Sequence, residues 1–347
     1  MLNDKAVLIT GGTGSFGKKM VQIVLSQYRP KKLIVFSRDE LKQFEMAQKW
    51  SPAKYACLRY LLGDIRDKDR LMMAFGGVDY IIHAAALKQV PAAEYNPEEF
   101  IKTNVLGAMN IIEAALYNNV EKVIALSTDK ACNPINLYGA TKLCSDKLFT
   151  AANVYAGSRR TRFAVVRYGN VLGSRGSVVP FFKERQATGV LPITDERMTR
   201  FWITLDQAVH FVLASFSRMQ GGEIFVPRIP SMKITDLARA IGPECRQEVV
   251  GIRPGEKIHE TLISEDEARH TARFKECYVV QPDPIRREAL LQSVNGQKGH
   301  LCDEDFRYSS DKNDHWLDVD DLRRLVEQIA DDYTIEASRW SMDDVPV

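Results

Sequence analysis

The sequence predicts an α/β protein: a Rossmann-type doubly wound parallel sheet with a smaller, interleaved α/β region. Three observations predict it. Short β-branched runs alternate with helix-length segments through the first half of the chain. A glycine string stands directly between the first such run and the first helical pattern. Beyond about residue 170 the rhythm loosens as Gly173, Gly176, Pro180, Pro192, Pro227, Pro230, Pro254 and Pro282 punctuate the chain.

Taken in order, strands are expected at 6–10, 33–37, 58–62, 80–84, 123–127 and 163–167. Phe16, Met20 and Val24 recur at helical spacing, and 105–117 is apolar nearly all round, so both helices should pack on the sheet. Further strands are expected at 223–226 and 249–252, and helices at 207–219, 234–241 and 319–329, the last two opening at caps near Thr235 and Asp318. The polar stretch 282–302 reads as a surface loop. The expected division is a nucleotide-binding domain over 1–169, to which the strand near 223–226 returns, and a mainly substrate-binding region over 170–347.

Composition narrows the function classes. A chain of 347 residues with 45% hydrophobic content can bury one large core or two moderate ones. Lys and Arg number 47 against 45 Asp and Glu, without a basic block, so nothing points to nucleic acid or a membrane surface and the expected partner is a small molecule. No apolar run approaches the ~18 residues of a membrane span; the expectation is a soluble, cytoplasmic protein. The six cysteines form no C-x-x-C pair and no metal-ligand spacing with the six histidines, so they read as reduced thiols, and no metal is expected. Cys132 reads as a small apolar packing residue.

The chemistry lies in two segments. Gly11-Gly12-Thr13-Gly14-Ser15-Phe16-Gly17 has the glycine spacing that lets backbone approach a pyrophosphate at a helix N-terminus. At the end of the second strand come Ser37, Arg38 and Asp39, with Lys42 a turn later. An acidic residue there suits the ribose of NAD, an Arg the 2′-phosphate of NADP, and Arg38 with Lys42 favours NADP. Asp64 is placed either to accept from the adenine amino group or to cap the turn before Arg66. Leu126-Ser127-Thr128-Asp129-Lys130 is followed by Tyr138 and Lys142, four apart on one helical face. A lysine ammonium ~4 Å away at effective ε ~20 is worth about 4 kcal/mol, roughly three pKa units, enough to make a phenol a usable base. Asp129-Lys130 adds a second acid/base pair, or else a surface ion pair worth under ~1 kcal/mol.

Through Thr10-Gly11-x-x-Gly14-x-x-Gly17 and Tyr138-x-x-x-Lys142 the chain resembles the extended short-chain dehydrogenase/reductases. Longer strings make it similar to the inverting UDP-N-acetylglucosamine 4,6-dehydratases of pseudaminic acid synthesis, the pathway of flagellin glycosylation. These are 37–42, 83–88, 126–130, 133–138, 167–171 and 253–257. The resemblance runs to about Val326. Ordinary nucleotide-sugar dehydratases of the superfamily carry Asp-Glu where this chain has Asp129-Lys130, and the larger membrane-anchored relatives carry transmembrane helices.

The resemblance implies NADP-dependent 4,6-dehydration of UDP-N-acetylglucosamine with inversion at C5, by a homo-oligomer for which a hexamer is one form. It implies catalytic roles for Asp129, Lys130 and Tyr138. It places the cofactor against Gly11, Thr13, Gly14, Ser15, Phe16, Gly17, Ser37, Arg38, Asp39, Lys42, Asp64, Ile65, Ala84, Ala86, Lys88, Leu126, Ser127, Tyr138, Lys142 and Val171. It places the substrate against Lys88, Thr128, Asn170, Arg175, Arg200, Arg253 and Glu256. Thr128 could equally cap the next turn, each of the arginines could be a structural ion-pair member, and His83 reads as a satisfied buried histidine. A 4-epimerase would share Tyr138 and Lys142 without needing Asp129-Lys130, and a non-catalytic NADP sensor would need neither pair.

Overall fold

The computed structural model describes residues 1–173, 177–292 and 298–337. Arg175 lies outside them. In chain order the elements are β1 (Ala6–Thr10), α1 (Ser15–Gln27), β2 (Lys32–Ser37), α2 (Glu40–Lys49), β3 (Leu58–Leu62), α3 (Lys68–Ala74), β4 (Tyr80–His83), α4 (Val90–Tyr95), α5 (Pro97–Phe100), a π-helical turn (Ile101–Leu106), α6 (Gly107–Tyr117), β5 (Lys122–Thr128), a 3₁₀ turn (Asp129–Ala131), α7 (Leu137–Ala156) and β6 (Arg162–Tyr168). There follow β7 (Asn170–Leu172), α8 (Val178–Gln186), β8 (Val190–Ile193), β9 (Thr199–Thr204), α9 (Leu205–Arg218), β10 (Ile224–Pro227), β11 (Ser231–Lys233), α10 (Ile234–Ile241) and β12 (Arg246–Val249). The chain continues with β13 (Thr261–Ile263), α11 (Glu265–Ala268), β14 (Thr271–Arg273), β15 (Cys277–Val280), α12 (Pro284–Gln292), β16 (His300–Leu301), β17 (Tyr308–Ser309) and α13 (Val319–Ala337).

Two compact units result. The first comprises Met1–Gly169, Leu205–Arg228 and Thr261–Ser309; the second comprises Asn170–Thr204, Ile229–Glu260 and the segment from Ser310 on. More of the chain therefore passes back into the first unit than the single strand at 223–226. In that unit β1 and β4 are buried at every position, and β2 and β6 at all but their first, as strands covered on both faces must be. The sheet order is β16-β14-β15-β10-β6-β5-β4-β1-β2-β3, with β3 through β10 of that row parallel and β15, β14 and β16 antiparallel. This is the expected doubly wound sheet. Strand order reverses direction between β1 and β4, and the crevice outside the carboxyl ends at that switch point is where such sheets bind ligands.

The second unit packs Leu172, Phe182, Trp202, Leu237, Ile241 and Leu322 into one apolar cluster. It holds the sheet β11-β9-β7 and the pair β12-β8.

Several elements differ from expectation. The strand placed at 249–252 lies earlier, at Arg246–Val249, because its partner β8 sets the register, and Gly251 then turns away at φ +90. The helix Ile234–Ile241 opens at Lys233, so Thr235 is inside it rather than capping it. Asp318 does cap α13, accepting from the Asp321 amide at 2.8 Å. The stretch 282–302 contains α12 and β16 instead of being loop throughout, since β16 is recruited to the sheet edge by β14. Leu106, Met109 and Tyr117 on the apolar 105–117 segment are exposed, so one face of it is not packed on the sheet.

Candidate active site

The first unit assembles the site from the loops that follow β1, β2, β4 and β5. Gly11 has φ +64, and a Cβ on it would stand 2.8 Å from the Cα and nitrogen of Ala85, so the loops after β1 and β4 touch and only glycine fits. Thr10 ties them further: its carbonyl accepts from Ala84 N at 3.2 Å and its hydroxyl from Ala85 N at 3.3 Å. That hydroxyl also meets His83 Nδ1 at 2.8 Å. Burial pushes His83 down to about 3, with the Lys142 charge acting the same way, so this histidine is a neutral core group. Helix α1 starts at Ser15 with Gly14 as N-cap and no side chain capping it. Thr13 and Gly17 are buried beside that terminus, Phe16 is partly buried, and the first turn offers amide donors and positive dipole to a phosphate. The glycine cradle and this terminus fit a dinucleotide.

At the end of β2 the Ser37 hydroxyl accepts from Gln43 at 2.9 Å. Asp39 is committed to α2: it caps the helix through Lys42 N at 3.0 Å and pairs with Lys42 Nζ at 2.5 Å. Arg38 is half-exposed, 3.5 Å from Asp64. Asp64 accepts from the Arg66 amide at 2.9 Å and its guanidinium at 2.7 Å, which is the turn-capping role. Ile65 is buried against Gly107, so its side chain belongs to the core.

The loop carrying Ala84, Ala86 and Lys88 is held by a residue that sequence reasoning missed. Asn104, inside the π-helical turn, accepts from Leu87 N and donates to Leu87 O, both at 2.9 Å, and donates to Thr141 at 3.1 Å. Lys88 is exposed overall, yet its ammonium is pushed down by desolvation and by the charge of Lys130.

Strand β5 delivers the candidate acid/base groups. Thr128 ends it and caps the 3₁₀ turn, accepting from Lys130 N at 3.4 Å and donating to Asp129 Oδ1 at 2.9 Å. Lys130 Nζ donates to the same oxygen at 3.1 Å. Asp129 is fully buried while Lys130 keeps 23% of its side chain exposed, so this is a partly sheltered pair, not a surface one. Helix α7 opens at Asn136, whose side chain accepts from Gly139 N at 2.8 Å. A Cβ on Gly139 would overlap the Lys130 carbonyl oxygen, so glycine lets the turn pack against the first coil of α7 and sets Tyr138 near Lys130.

The electrostatics of Tyr138 correct the expectation of a phenol acidified by Lys142. Burial pushes it up to about 12; the Lys130 charge and the Thr128 hydroxyl pull it down, while Asp129 and Asp146 push it up. Lys142 turns its ammonium to the carbonyl of Leu126 at 2.7 Å. Asp129, Lys130, Tyr138 and Lys142 are thus brought together with Leu126, Ser127 and Thr128.

The remaining candidates belong to the second unit. Asn170 and Val171 open β7 and pair with Trp202 and Ile203 of β9. Arg200 is fixed by bonds from Nη1 to the carbonyls of Thr199 and Ile258, at 2.7 and 3.0 Å, with Nε 3.9 Å from Glu260. Glu256 accepts from the Arg253 amide at 3.3 Å and so closes its own turn. Arg253 is exposed. Among the described residues there is no metal-binding cluster, and no helix is long and apolar enough to cross a membrane.

A doubly wound nucleotide-binding sheet with a Tyr-x-x-x-Lys helix beside its switch point defines the extended short-chain dehydrogenase/reductase class. The chain belongs to the polysaccharide biosynthesis protein family, whose model matches residues 7–282. It is 55% identical over 331 residues to a UDP-N-acetylglucosamine 4,6-dehydratase (inverting) of Campylobacter jejuni, covering 94% of this chain and 98% of that one. It is 39% identical to a UDP-glucose 4-epimerase of Rickettsia conorii over 94% of this chain and 96% of that one. The structure of Pen from Bacillus thuringiensis superimposes with a TM-score of 0.86 at 35% identity, covering 95% and 99% of the two chains.

Proposed function

We propose that the protein is an inverting UDP-N-acetylglucosamine 4,6-dehydratase that uses NADP. The observation that carries this is the Asp129-Lys130 pair set beside Tyr138, because dehydration needs an acid and a base that a plain alcohol oxidation does not. Bound NADP⁺ supplies a hydride acceptor that holds the C4 hydrogen until C6 can take it back. Tyr138 Oη receives the C4 hydroxyl proton as its phenolate, the form that burial disfavours and that the Lys130 charge and the Thr128 hydroxyl favour, leaving a 4-ketone that acidifies the C5 hydrogen. With the proton of their hydrogen bond moved from Nζ to the carboxylate, neutral Lys130 Nζ removes the C5 proton while Asp129 gives one to the departing C6 hydroxyl, which leaves as water. Reprotonation of C5 by a solvent-derived proton from the face opposite Lys130 gives UDP-2-acetamido-2,6-dideoxy-β-L-arabino-hex-4-ulose.

NADP in place of NAD is supported by Asp39 being engaged as a helix cap while Arg38 stays half-exposed. Arg200, Arg253, Asn170 and Glu256, with Arg175, are proposed for the UDP moiety, where an Arg fork suits a diphosphate. The work belongs in the cytoplasm and to a homo-oligomer; the exposed Leu106, Met109 and Tyr117 support association, and a hexamer rests on resemblance alone.

The Rickettsia relative keeps 4-epimerisation as the competing reading. Incubation with UDP-N-acetylglucosamine in D₂O, read by NMR, separates them: a dehydratase incorporates deuterium at C5 and loses the C6 oxygen, whereas an epimerase does neither. An unlabelled C5 would sink the proposal.

A further inference from the structure

The residues with the deepest buried charge in the first unit have no part in that scheme. Arg167 on β6 is completely buried. It donates to both oxygens of Glu267, at 2.9 and 3.1 Å, to the Leu262 carbonyl at 3.0 Å, and to Asp146 Oδ2 at 3.3 Å. Asp146 is 1% exposed and lies one helical turn beyond Lys142, on the same face of α7. Its Oδ2 also accepts from Ser127 Oγ at 2.8 Å, and Ser127 follows Leu126, the residue that accepts from Lys142. Ammonium and carboxylate therefore dock on successive residues of one strand.

We propose that Asp146 is a positioning residue for the Tyr138–Lys142 pair: Lys142, Asp146, Arg167 and Glu267 form a buried chain of alternating charge that keeps Lys142 an ammonium during catalysis. The chain is balanced, two positive groups against two negative ones, which is the condition under which charges persist in a low-dielectric interior. Burial drives Lys142 downward and Asp146 is the group that raises it again; burial likewise pushes Asp146 up, against which Arg167, Lys142 and the Ser127 hydroxyl favour its carboxylate. The other groups facing the pair are neutral His83 from β4, Ser127 from β5, and Tyr138 from the start of α7, with Asp129, Lys130 and the buried Tyr168 of β6 near the phenol and Cys132 near Arg167.

The inference rests on Tyr138 and Lys142 being the working pair. Removing a negative charge makes both a phenol and an ammonium titrate at lower pH, so Asp146→Asn should move both limbs of the pH–rate profile for UDP-N-acetylglucosamine turnover down by about one unit. Asp146→Glu should restore them, and Glu267→Gln, acting through Arg167, should move them the same way by less. A fall in rate that is uniform in pH, with unmoved limbs, would show that Asp146 only holds the fold and would overturn the proposal. If Asp146→Asn does not fold, the Glu267→Gln profile decides by the same criterion. A second readout needs no turnover: the ultraviolet phenolate titration of the full chain, with that of Tyr138→Phe subtracted, should shift to lower pH in Asp146→Asn, and an unchanged titration overturns the proposal. Absence of turnover in the wild type would instead sink the dehydratase reading alone.

Discussion

Lys142 donates its ammonium to the carbonyl oxygen of Leu126 at 2.7 Å, so the side chain expected from the sequence to act on the phenol pins α7 to the end of β5. A buried charge-assisted bond of this kind is worth about 1.5–3 kcal/mol. Lys142→Met is therefore expected to lower both unfolding free energy and turnover, whereas Tyr138→Phe should cut turnover by about 10²–10⁴-fold with little change in stability. Denaturant titration alongside steady-state rates checks the contrast.

Lys130 sits in the turn rather than on the helix, and its ammonium is tied to Asp129. Lys130→Ala should leave NADP binding intact while abolishing deuterium exchange at C5. Retained exchange, seen by NMR, would take the base role away from Lys130.

Arg38 is the half-exposed cation at the end of β2. Its bond to a 2′-phosphate would be worth about 1.5–3 kcal/mol, so Arg38→Ala should weaken NADP about 10–100-fold and leave NAD nearly unchanged. Parallel binding titrations with the two dinucleotides measure the ratio.

Gly139 has no room for a methyl group: a Cβ would overlap the Lys130 carbonyl and stand 3.1 Å from Pro134 Cβ. Gly139→Ala is expected to cost about 1–3 kcal/mol of stability and to displace Lys130, so C5 exchange should fall more steeply than cofactor affinity. Calorimetry with the exchange assay tests this.

His83 is held down at about 3 in the fold against 6.5 for the free side chain, first by burial and then by Lys142. Between those values the unfolded chain carries a proton that the folded chain does not. Stability should therefore fall as pH drops through that window, by about 1.4 kcal/mol per unit for one such group. His83→Asn should flatten the slope between pH 6.5 and 4.5; His270 is also held down but contributes equally to both proteins. Urea midpoints across that range are the measurement.

What could be read from the sequence was what short-range pattern encodes. Strands Ala6–Thr10 and Leu58–Leu62 fall at their expected bounds, and the glycine loop and the Tyr138–Lys142 spacing stand in the strand-turn-helix settings that their chemistry requires. Pairings between distant residues left no such trace. Arg167 and Glu267 are 100 residues apart, and nothing local marks Glu267 as a partner, although Asp146, one turn after Lys142, carried a spacing signal. Asn104 is invisible for the same reason: its partners Leu87 and Thr141 come from two other elements. The acidity of Tyr138 depended on solvent exclusion, which a spacing rule does not register.

Because Glu267, β14, β15 and β16 come from the segment Thr261–Ser309, the nucleotide-binding half cannot be excised as an N-terminal fragment. A truncation at Gly169 would strip Arg167 of a carboxylate and expose the flank of β6 that β10 covers. Synthesis must therefore reach Ser309, through two of the second unit's three segments, before the first can close, and that order constrains how the chain folds as it emerges.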